Sequence, residues 1–345
     1  AGYNSIGIVS SGGAGWALAQ WMDTGEPPFD LWDVDIRRAQ PFQKTRRYLR
    51  DRVTETLGML YSDHYPFRQV TTARGVRRSP VHQHLAERGA VFGETAGWER
   101  PNWFAKPGQA AEYAHDWHRQ NWFENRDEAV VIMDATSSEA VFCLMGPKAR
   151  DVITQASPND FGNNAHPFGW AKEIEIGYGL ARAHRVTYVG ELGWEVYVPT
   201  DQAAHVFATL LEAGEGQGLH LCGLHTLDSC RIEKAFRHFG HDITDEDHVL
   251  EAGLGFAVKP AKGDFIGRDA VLRKKEAGLS RRMLQFRVAS PDHMLFHNEP
   301  LIKDGEIVGL VTSANYGHAL GGSIGMGYVP AEGETPADTL AASRS

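Results

Sequence analysis

Residues 186–197 contain the two side chains whose types and spacing could support ligand chemistry. Tyr188 and Glu195 stand on either side of a short glycine-bracketed segment, among β-branched and aromatic residues. This pattern predicts a β-hairpin, with one strand over residues 185–188 and the other over residues 194–198. A carboxylate beside a phenol at the mouth of a hairpin suits a planar, nitrogen-rich ligand. On spacing alone, an ordinary hairpin with a solvated glutamate is the commoner outcome.

A second candidate, Arg231, lies in a predicted helix over residues 225–236. It stands between Ser229 and Glu233 in a Ser-x-Arg-x-Glu pattern. A guanidinium offers a planar fork of donors that suits a carboxylate. Without further context, an exposed arginine and glutamate on different faces of the helix is the ordinary interpretation.

Histidine pairs raise the question of a metal site. The pairs are His82 with His84, His115 with His118, and His238 with His241, the last followed by an acidic stretch. Imidazole and carboxylate groups together can bind zinc or non-haem iron. No spacing joins the pairs into one constellation, and a chain with 16 histidines contains such pairs by chance. No metal site is predicted.

The first 22 residues predict a strand over residues 6–9, a glycine turn and a helix from residue 16. Glycines after a strand let backbone N–H groups approach a phosphate at the start of a helix. Leu18 occupies the place of the third small residue in a dinucleotide fingerprint, so the match to that motif is incomplete.

Taken together, these motifs carry a family resemblance. The Tyr-x-Gly-Glu-x-Gly-x-Glu run at residues 188–195 resembles the folate-binding hairpin of the aminomethyltransferase family, which includes the glycine-cleavage T-protein. With Ser-x-Arg-x-Glu and the Phe-Ile-Gly-Arg run at residues 265–268, the chain resembles the C-terminal part of the dimethylglycine and sarcosine dehydrogenases. Those enzymes join a flavin domain to a T-protein-like domain. The resemblance implies tetrahydrofolate as cofactor, held by Tyr188, Glu195 and Arg231.

The same resemblance gives the N-terminal glycines a different role. They are similar to the closing segment of the flavin domain, which implies that Ser5, Gly7, Gly12 and Gly13 pack against the flavin. The nucleotide-binding opening of that domain has no counterpart in this chain. FAD is therefore expected only in a full-length parent protein.

One part of the family pattern is missing. Residues 122–127 and residues 134–137 resemble segments that a whole lobe separates in the family, yet here they are nearly contiguous. The missing lobe carries the aspartate that the family places beside the reactive folate nitrogen. No residue of this chain matches it, so no catalytic residue is assigned. A deletion inside a packed domain should also expose apolar surface and lower stability.

The predicted fold class is α+β. Residues 1–60 form a remnant of a flavin-oxidoreductase domain, and residues 61–250 form a T-protein-like folate-binding domain that lacks a lobe near residues 126–130. Residues 251–332 form a small antiparallel β-barrel, predicted from short strands after residue 284. A polar tail, residues 333–345, follows.

Composition limits the partners. Apolar residues make up 42% of the chain and charged residues 23%, as in ordinary globular proteins. A net charge of −9 argues against nucleic acid or an anionic membrane as partner. Three cysteines and no recognisable signal peptide indicate a reducing compartment, the cytoplasm or, in a eukaryote, the mitochondrial matrix.

The function that the resemblance implies is folate-dependent one-carbon transfer within an N-methyl amine dehydrogenase of the dimethylglycine or sarcosine type. Its partners would be the N-methyl amine, the folate and a flavin domain in cis. The alternative is a non-catalytic folate-binding or structural module of the same fold.

Overall fold

The structure is a computed structural model that describes residues 7–25, 27–29, 31, 34–62, 68–105, 135–290 and 293–331. The helices of these residues are α1 (Gly7–Thr24), α2 (Arg46–Tyr61), α3 (His82–Glu87), α4 (Ala149–Ala156), α5 (Ala203–Gly214), α6 (Leu224–Glu233) and α7 (Arg268–Ala277). The strands are β1 (Ala90–Thr95), β2 (Trp98–Phe104), β3 (Glu139–Met145), β4 (Ala171–Ile176), β5 (Gly179–His184), β6 (Gly193–Pro199), β7 (Arg281–Arg287), β8 (Pro300–Lys303), β9 (Glu306–Gly317) and β10 (Gly322–Pro330). Helices and antiparallel sheets in separate segments confirm the predicted α+β class.

The N-terminal segment differs from its prediction. Gly7 to Thr24 form one continuous helix, so the predicted strand and glycine turn are wrong. The run contains no proline and no charged residue before Asp23, so nothing interrupts the helix although each glycine costs about 1 kcal/mol relative to alanine. No described helix is both long enough and apolar enough to cross a membrane.

Helix α2 lies beside the β1–β2 hairpin, to which an ion pair joins it. The Thr45 side chain caps its first turn by accepting a hydrogen bond from the Tyr48 backbone N–H. Arg52 of α2 forms an ion pair of 2.9 Å with Glu94 of β1, and about nine-tenths of each side chain is buried. On β2, Glu99 is buried and pairs with Arg74 in the preceding segment. These ion pairs attach α2 and the residues that follow it to the β1–β2 hairpin.

The main core lies between a four-stranded sheet and helices α4 and α5. The sheet has the antiparallel order β3-β6-β5-β4. On β6, Trp194, Val196 and Val198 are fully buried and face the two helices. The intervening residues of β6 point to the opposite face, because side chains alternate along a strand. This alternation places Glu195 away from the core.

The predicted partner strand of β6 is wrong. Residues 185–192 form a loop, and the strand that pairs with β6 is β5, with His184 opposite Glu195. The connection contains one glycine, Gly190, which has a positive φ of 73°, and its eight residues replace the predicted tight turn. Gly193 is required where β6 begins, because a Cβ there would lie 2.9 Å from the Leu144 carbonyl oxygen of β3.

The C-terminal strands form a second antiparallel sheet in the order β7-β10-β9-β8. Strand β9 is 12 residues long and pairs with β8 at its start and with β10 at its end, which gives the barrel-like shape that the sequence predicts. Asp304 and Gly305 both have positive φ angles, 51° and 84°, as a tight hairpin turn between β8 and β9 requires.

Helix α6 packs on the C-terminal sheet. Its residue Ile232 is buried in a second apolar cluster with Met283, Ile324 and Met326 of the C-terminal sheet. The helix ends at Glu233, three residues before its predicted end, and the chain then runs as a loop through residues 234–243. Ser229 of α6 donates a hydrogen bond of 2.6 Å to the Tyr316 carbonyl of β9.

Candidate functional site

Glu195 lies on the face of the main sheet that the described helices α4 and α5 leave uncovered. It is half-buried, and β6 places it between Cys143 of β3 and His184 of β5. The Tyr197 hydroxyl donates a hydrogen bond of 2.9 Å to Oε2 of Glu195. Among the described residues, no group bonds to the other oxygen, Oε1. One carboxylate oxygen is thus held in place while the other is available to a ligand.

Two neighbouring ionisable groups remain protonated around Glu195. Loss of solvent around the phenol, followed by its hydrogen bond to Glu195, raises the pKa of Tyr197 to about 12. Loss of solvent around the thiol, followed by the Glu195 charge, raises the pKa of Cys143 to about 11. At neutral pH both groups are therefore uncharged, and the phenol keeps its proton to donate.

Tyr188 lies in the loop between β5 and β6, half-buried against the segment after α6. Its hydroxyl donates a hydrogen bond of 2.8 Å to the Arg237 carbonyl. Its ring is stacked with Phe236 at 6.1 Å between centroids and meets His238 edge-on at 6.5 Å. These contacts fix the ring against the loop after α6. The residue that lies opposite Glu195 on the neighbouring strand is His184, and not Tyr188 as the predicted hairpin required.

Arg231 is almost fully buried, and all three nitrogens of its guanidinium donate to protein acceptors. Nε donates a hydrogen bond of 2.6 Å to Asp228, and Nη2 donates one of 2.8 Å to the Ser313 hydroxyl. Nη1 donates hydrogen bonds to the Phe236 carbonyl and to the buried Asp242 carboxylate. The group therefore links α6, the following loop and β9. Its pKa is raised: burial opposes this shift, and Asp228 and Asp242 outweigh the burial.

The structure brings two of the three predicted folate residues together. Tyr188 and Arg231 both contact Phe236, and the Tyr188 phenol contributes to the electrostatic environment of Arg231. Glu195 instead has Tyr197 as its hydrogen-bond partner. The interior role of Arg231 is structural, and whether it also touches a folate stays a prediction.

Several residues that shape this region had no predicted role in the site: Cys143, Tyr197, Asp228, Asp242 and Ser313. Tyr197 could have been predicted from the sequence, because it follows Glu195 by two residues and a strand places such residues on one face. Asp242 and Ser313 carry no such signal. They meet Arg231 only because the chain folds back over 11 and 82 residues.

The described part of the predicted flavin segment does not form a phosphate or flavin cradle. Gly7, Gly12 and Gly13 lie inside α1, and a Cβ at Gly12 or Gly13 would meet no atom within 4 Å. Ser5 lies outside the described residues. These residues do not fit a flavin site by themselves. Packing of this segment on a flavin elsewhere stays a prediction.

The histidine pairs do not assemble a metal centre in the described part of the chain, where no group of three or more potential ligands is placed to hold a metal ion. His115 and His118 lie outside the described residues, as do residues 122–127, where the predicted gap in the family pattern falls.

Comparison with protein families divides the chain into three segments. Residues 24–79 match the FAD dependent oxidoreductase central domain, and residues 109–262 match the GCVT N-terminal domain. Residues 281–343 match the glycine cleavage T-protein C-terminal barrel domain.

Individual relatives cover nearly the whole chain. The 4-methylaminobutanoate oxidase (formaldehyde-forming) of Paenarthrobacter nicotinovorans is 32% identical, over 98% of this chain and 53% of its own length. Human mitochondrial sarcosine dehydrogenase is 26% identical, over 95% of this chain and 50% of its own length. The chain thus spans about half the length of these relatives. The alignment with the oxidase has 434 positions, more than the 345 residues of the chain, so the oxidase has residues opposite gaps in this chain.

Among solved structures, the glycine cleavage system aminomethyltransferase T from Bartonella henselae is similar, with a TM-score of 0.50 and 19% identity, over 74% of this chain and 90% of that one. This likeness supports the fold alone. Fold, segments and relatives define a T-protein-like domain that follows part of a flavin-dependent oxidoreductase. Three family models match successive segments of the chain, and sarcosine and dimethylglycine dehydrogenases align with 95% and 94% of it, which confirms the resemblance seen in the sequence.

Proposed function

We propose that this chain is the tetrahydrofolate-binding, one-carbon-transfer part of a protein that oxidises an N-methyl amine of the dimethylglycine or sarcosine type. The observation that carries the proposal is the Glu195 carboxylate on the uncovered face of a T-protein-like sheet. One of its oxygens is held by Tyr197 and the other has no partner among the described residues. A pterin ring presents N–H donors along one edge, and such an edge matches a carboxylate.

Each of the three predicted residues has a distinct part in this proposal. Glu195 accepts hydrogen bonds from the pterin and sets its orientation. Tyr188 offers an aromatic ring that its contacts with Phe236 and Arg237 hold still. Arg231 supports the pterin site indirectly, because it holds the loop after α6, which carries the Phe236 and Arg237 partners of Tyr188.

Oxidation of the amine belongs in this proposal to a flavin domain in cis in the parent protein. That domain supplies an oxidised N-methyl group, and the folate site accepts its carbon in place of releasing formaldehyde. An enclosed site matters for this transfer, because water competes for the same carbon. Free cysteines at positions 143, 222 and 230 accord with a reducing compartment, the cytoplasm or the mitochondrial matrix.

A non-catalytic folate-binding or structural module is the second candidate. Two observations favour it. No residue of the chain matches the family's aspartate, and the bacterial relative described above is named for forming formaldehyde, which tetrahydrofolate would otherwise take up.

The binding step is tested with 5-formyltetrahydrofolate, an air-stable reduced folate, titrated into the purified 345-residue chain while tryptophan fluorescence is followed. We expect saturable binding that Glu195→Gln weakens about tenfold or more, because a hydrogen bond to a charged group is lost. Glu306→Gln, on the exposed start of β9, is the matched control and should bind like the unmodified chain. Equal affinities for both variants would contradict the assignment of Glu195.

The transfer step is tested in the parent protein with its flavin domain intact. With an N-methyl amine and tetrahydrofolate, the first candidate predicts methylene-tetrahydrofolate in place of free formaldehyde. Formaldehyde release that tetrahydrofolate leaves unchanged, from a protein that binds folate, supports the second candidate.

A further inference from the structure

The Tyr197 side chain is the only hydrogen-bond partner of the Glu195 carboxylate among the described residues. The two residues are two positions apart on β6, so the strand places them on the same uncovered face of the main sheet. Tyr197 reaches along the strand, and its hydroxyl lies 2.9 Å from Oε2. The bond therefore fixes the rotation of the carboxylate group.

The Tyr197 ring is itself held from the neighbouring strands. The His184 ring lies 4.8 Å from it, and the Arg182 guanidinium lies 5.1 Å above its centroid. The same guanidinium forms an ion pair with Glu139 on β3, with 3.2 Å between Nη2 of Arg182 and Oε2 of Glu139. An ion pair with side chains 45% and 35% exposed contributes little energy, but here it restricts the ring on which it rests.

We infer that Tyr197 is a positioning residue for folate binding: it holds Oε2 of Glu195 so that Oε1 is presented to the pterin edge. This inference rests on the proposed function, since it assigns a role to a neighbour of the proposed folate ligand. Tyr197 does not touch the folate in this arrangement and acts through Glu195. The phenol remains protonated at neutral pH, so the hydrogen bond persists under ordinary conditions.

Pre-organisation explains why such a residue matters. A free glutamate side chain samples several rotamers, and ordering it on binding costs affinity. A donor that already holds the carboxylate removes part of this cost. Because a carboxylate offers about four acceptor positions, one bond from Tyr197 leaves room for ligand donors.

The test is a double-mutant cycle on 5-formyltetrahydrofolate affinity, measured by calorimetry on the 345-residue chain. Tyr197→Phe should weaken binding about tenfold, and Tyr197→Phe combined with Glu195→Gln should bind no more weakly than Glu195→Gln alone. Tyr178→Phe, at a tyrosine that is 96% exposed, is the matched control and should not change the affinity. Thermal unfolding of each variant checks that it is folded.

The outcomes separate the two ideas. If Glu195→Gln weakens binding and Tyr197→Phe does not, the positioning role is overturned while the proposed function stands. If the two losses add in the double variant, Tyr197 acts independently of Glu195 and the inference also fails. If Glu195→Gln has no effect, the proposed function fails first.

A second variant keeps the test decisive should Tyr197→Phe fail to fold. Site-specific replacement of Tyr197 by 3,5-difluorotyrosine preserves the ring and hydroxyl and lowers the pKa of the phenol. Folate binding by this variant should be normal near neutral pH and should weaken at alkaline pH as the fluorinated phenol loses its proton, because a phenolate cannot donate to Glu195. A pH profile like that of the unmodified chain would overturn the inference.

Discussion

At the scale of single residues, Glu195 and Arg231 show how differently two predicted ligand residues can be used. Glu195 is half-buried, and one of its oxygens has no partner among the described residues. Arg231 is buried and its guanidinium donates to Asp228, Asp242, Ser313 and a backbone carbonyl. A side chain with its donors already engaged stabilises the fold, whereas one with a free acceptor can meet a ligand.

The interior role of Arg231 leads to a stability prediction. Arg231→Met would leave the carboxylate of Asp242, whose side chain is fully buried, without its cation. Removing one partner of a buried pair costs about 3–5 kcal/mol, so the free energy of unfolding in urea should fall by that amount. Arg47→Met, at an arginine whose side chain is 88% exposed in its pair with Asp51, is the control and should change stability by less than about 0.5 kcal/mol. Similar losses in both variants would contradict the interior role.

At the scale of elements, one buried glutamate connects the segment before the C-terminal sheet to that sheet. Oε1 of Glu251 forms an ion pair of 2.6 Å with Nζ of Lys274 on α7. Glu251 also accepts hydrogen bonds from the hydroxyl of Ser280, just before β7, at 2.8 Å and from Nε of Arg281, the first residue of β7, at 3.1 Å. Its side chain is 4% exposed. Burial alone would raise the pKa of Glu251, but its three hydrogen-bond partners outweigh this and lower the pKa to about 2.

This lowered pKa implies a defined pH dependence of stability. The folded-state pKa lies below the unfolded value of 4.5, so the contribution of Glu251 is complete above pH 4.5 and is lost as the pH falls towards 2. We expect Glu251→Gln to be less stable at pH 7 and to lose about 2 kcal/mol less than the unmodified chain between pH 7 and pH 3. Urea unfolding at both pH values measures this, with Glu306→Gln as control. Parallel losses in all three proteins would show that Glu251 does not carry the effect.

At the scale of the whole molecule, the N-terminal segment leaves large apolar side chains exposed. Met22 is 85% exposed, Ile36 84%, Val34 76% and Trp16 56%. Exposed groups of this kind promote association. The missing lobe of the family pattern predicts exposed apolar surface. The exposed side chains named above belong to the N-terminal segment, and the residues around the gap lie outside the described residues.

We therefore expect the isolated chain to bind a hydrophobic dye and to self-associate at micromolar concentration. Met22→Lys combined with Ile36→Lys should reduce both, because each places a charge within the exposed apolar group. Ile266→Lys, at an isoleucine that is 93% exposed in a different part of the chain, is the matched control. Light scattering after size-exclusion chromatography measures the mass, and a monomer in every variant would contradict the prediction.

The sequence by itself determined the class of this protein and many of its elements. Family motifs at residues 188–195, 229–233 and 265–268 indicated the T-protein-like domain, and the patterns of residues 225–236 and of the segment after residue 284 located α6 and the C-terminal strands. These features are local: helical and strand periods, turn glycines and short motifs are written in consecutive residues. The two wrong predictions, the N-terminal strand and turn and the strand over residues 185–188, also came from local patterns, because glycines at these places were interpreted as tight turns.

Only the tertiary structure decided which residues share a site. Which strand pairs with β6 depends on the register of the whole sheet, so no local pattern could show that His184, and not Tyr188, lies opposite Glu195. The burial of Arg231 depends on Asp242 and Ser313, which long-range folding brings to it. Side-chain roles of this kind follow from the packing of distant segments, and that packing is a property of the folded chain and not of any short stretch within it.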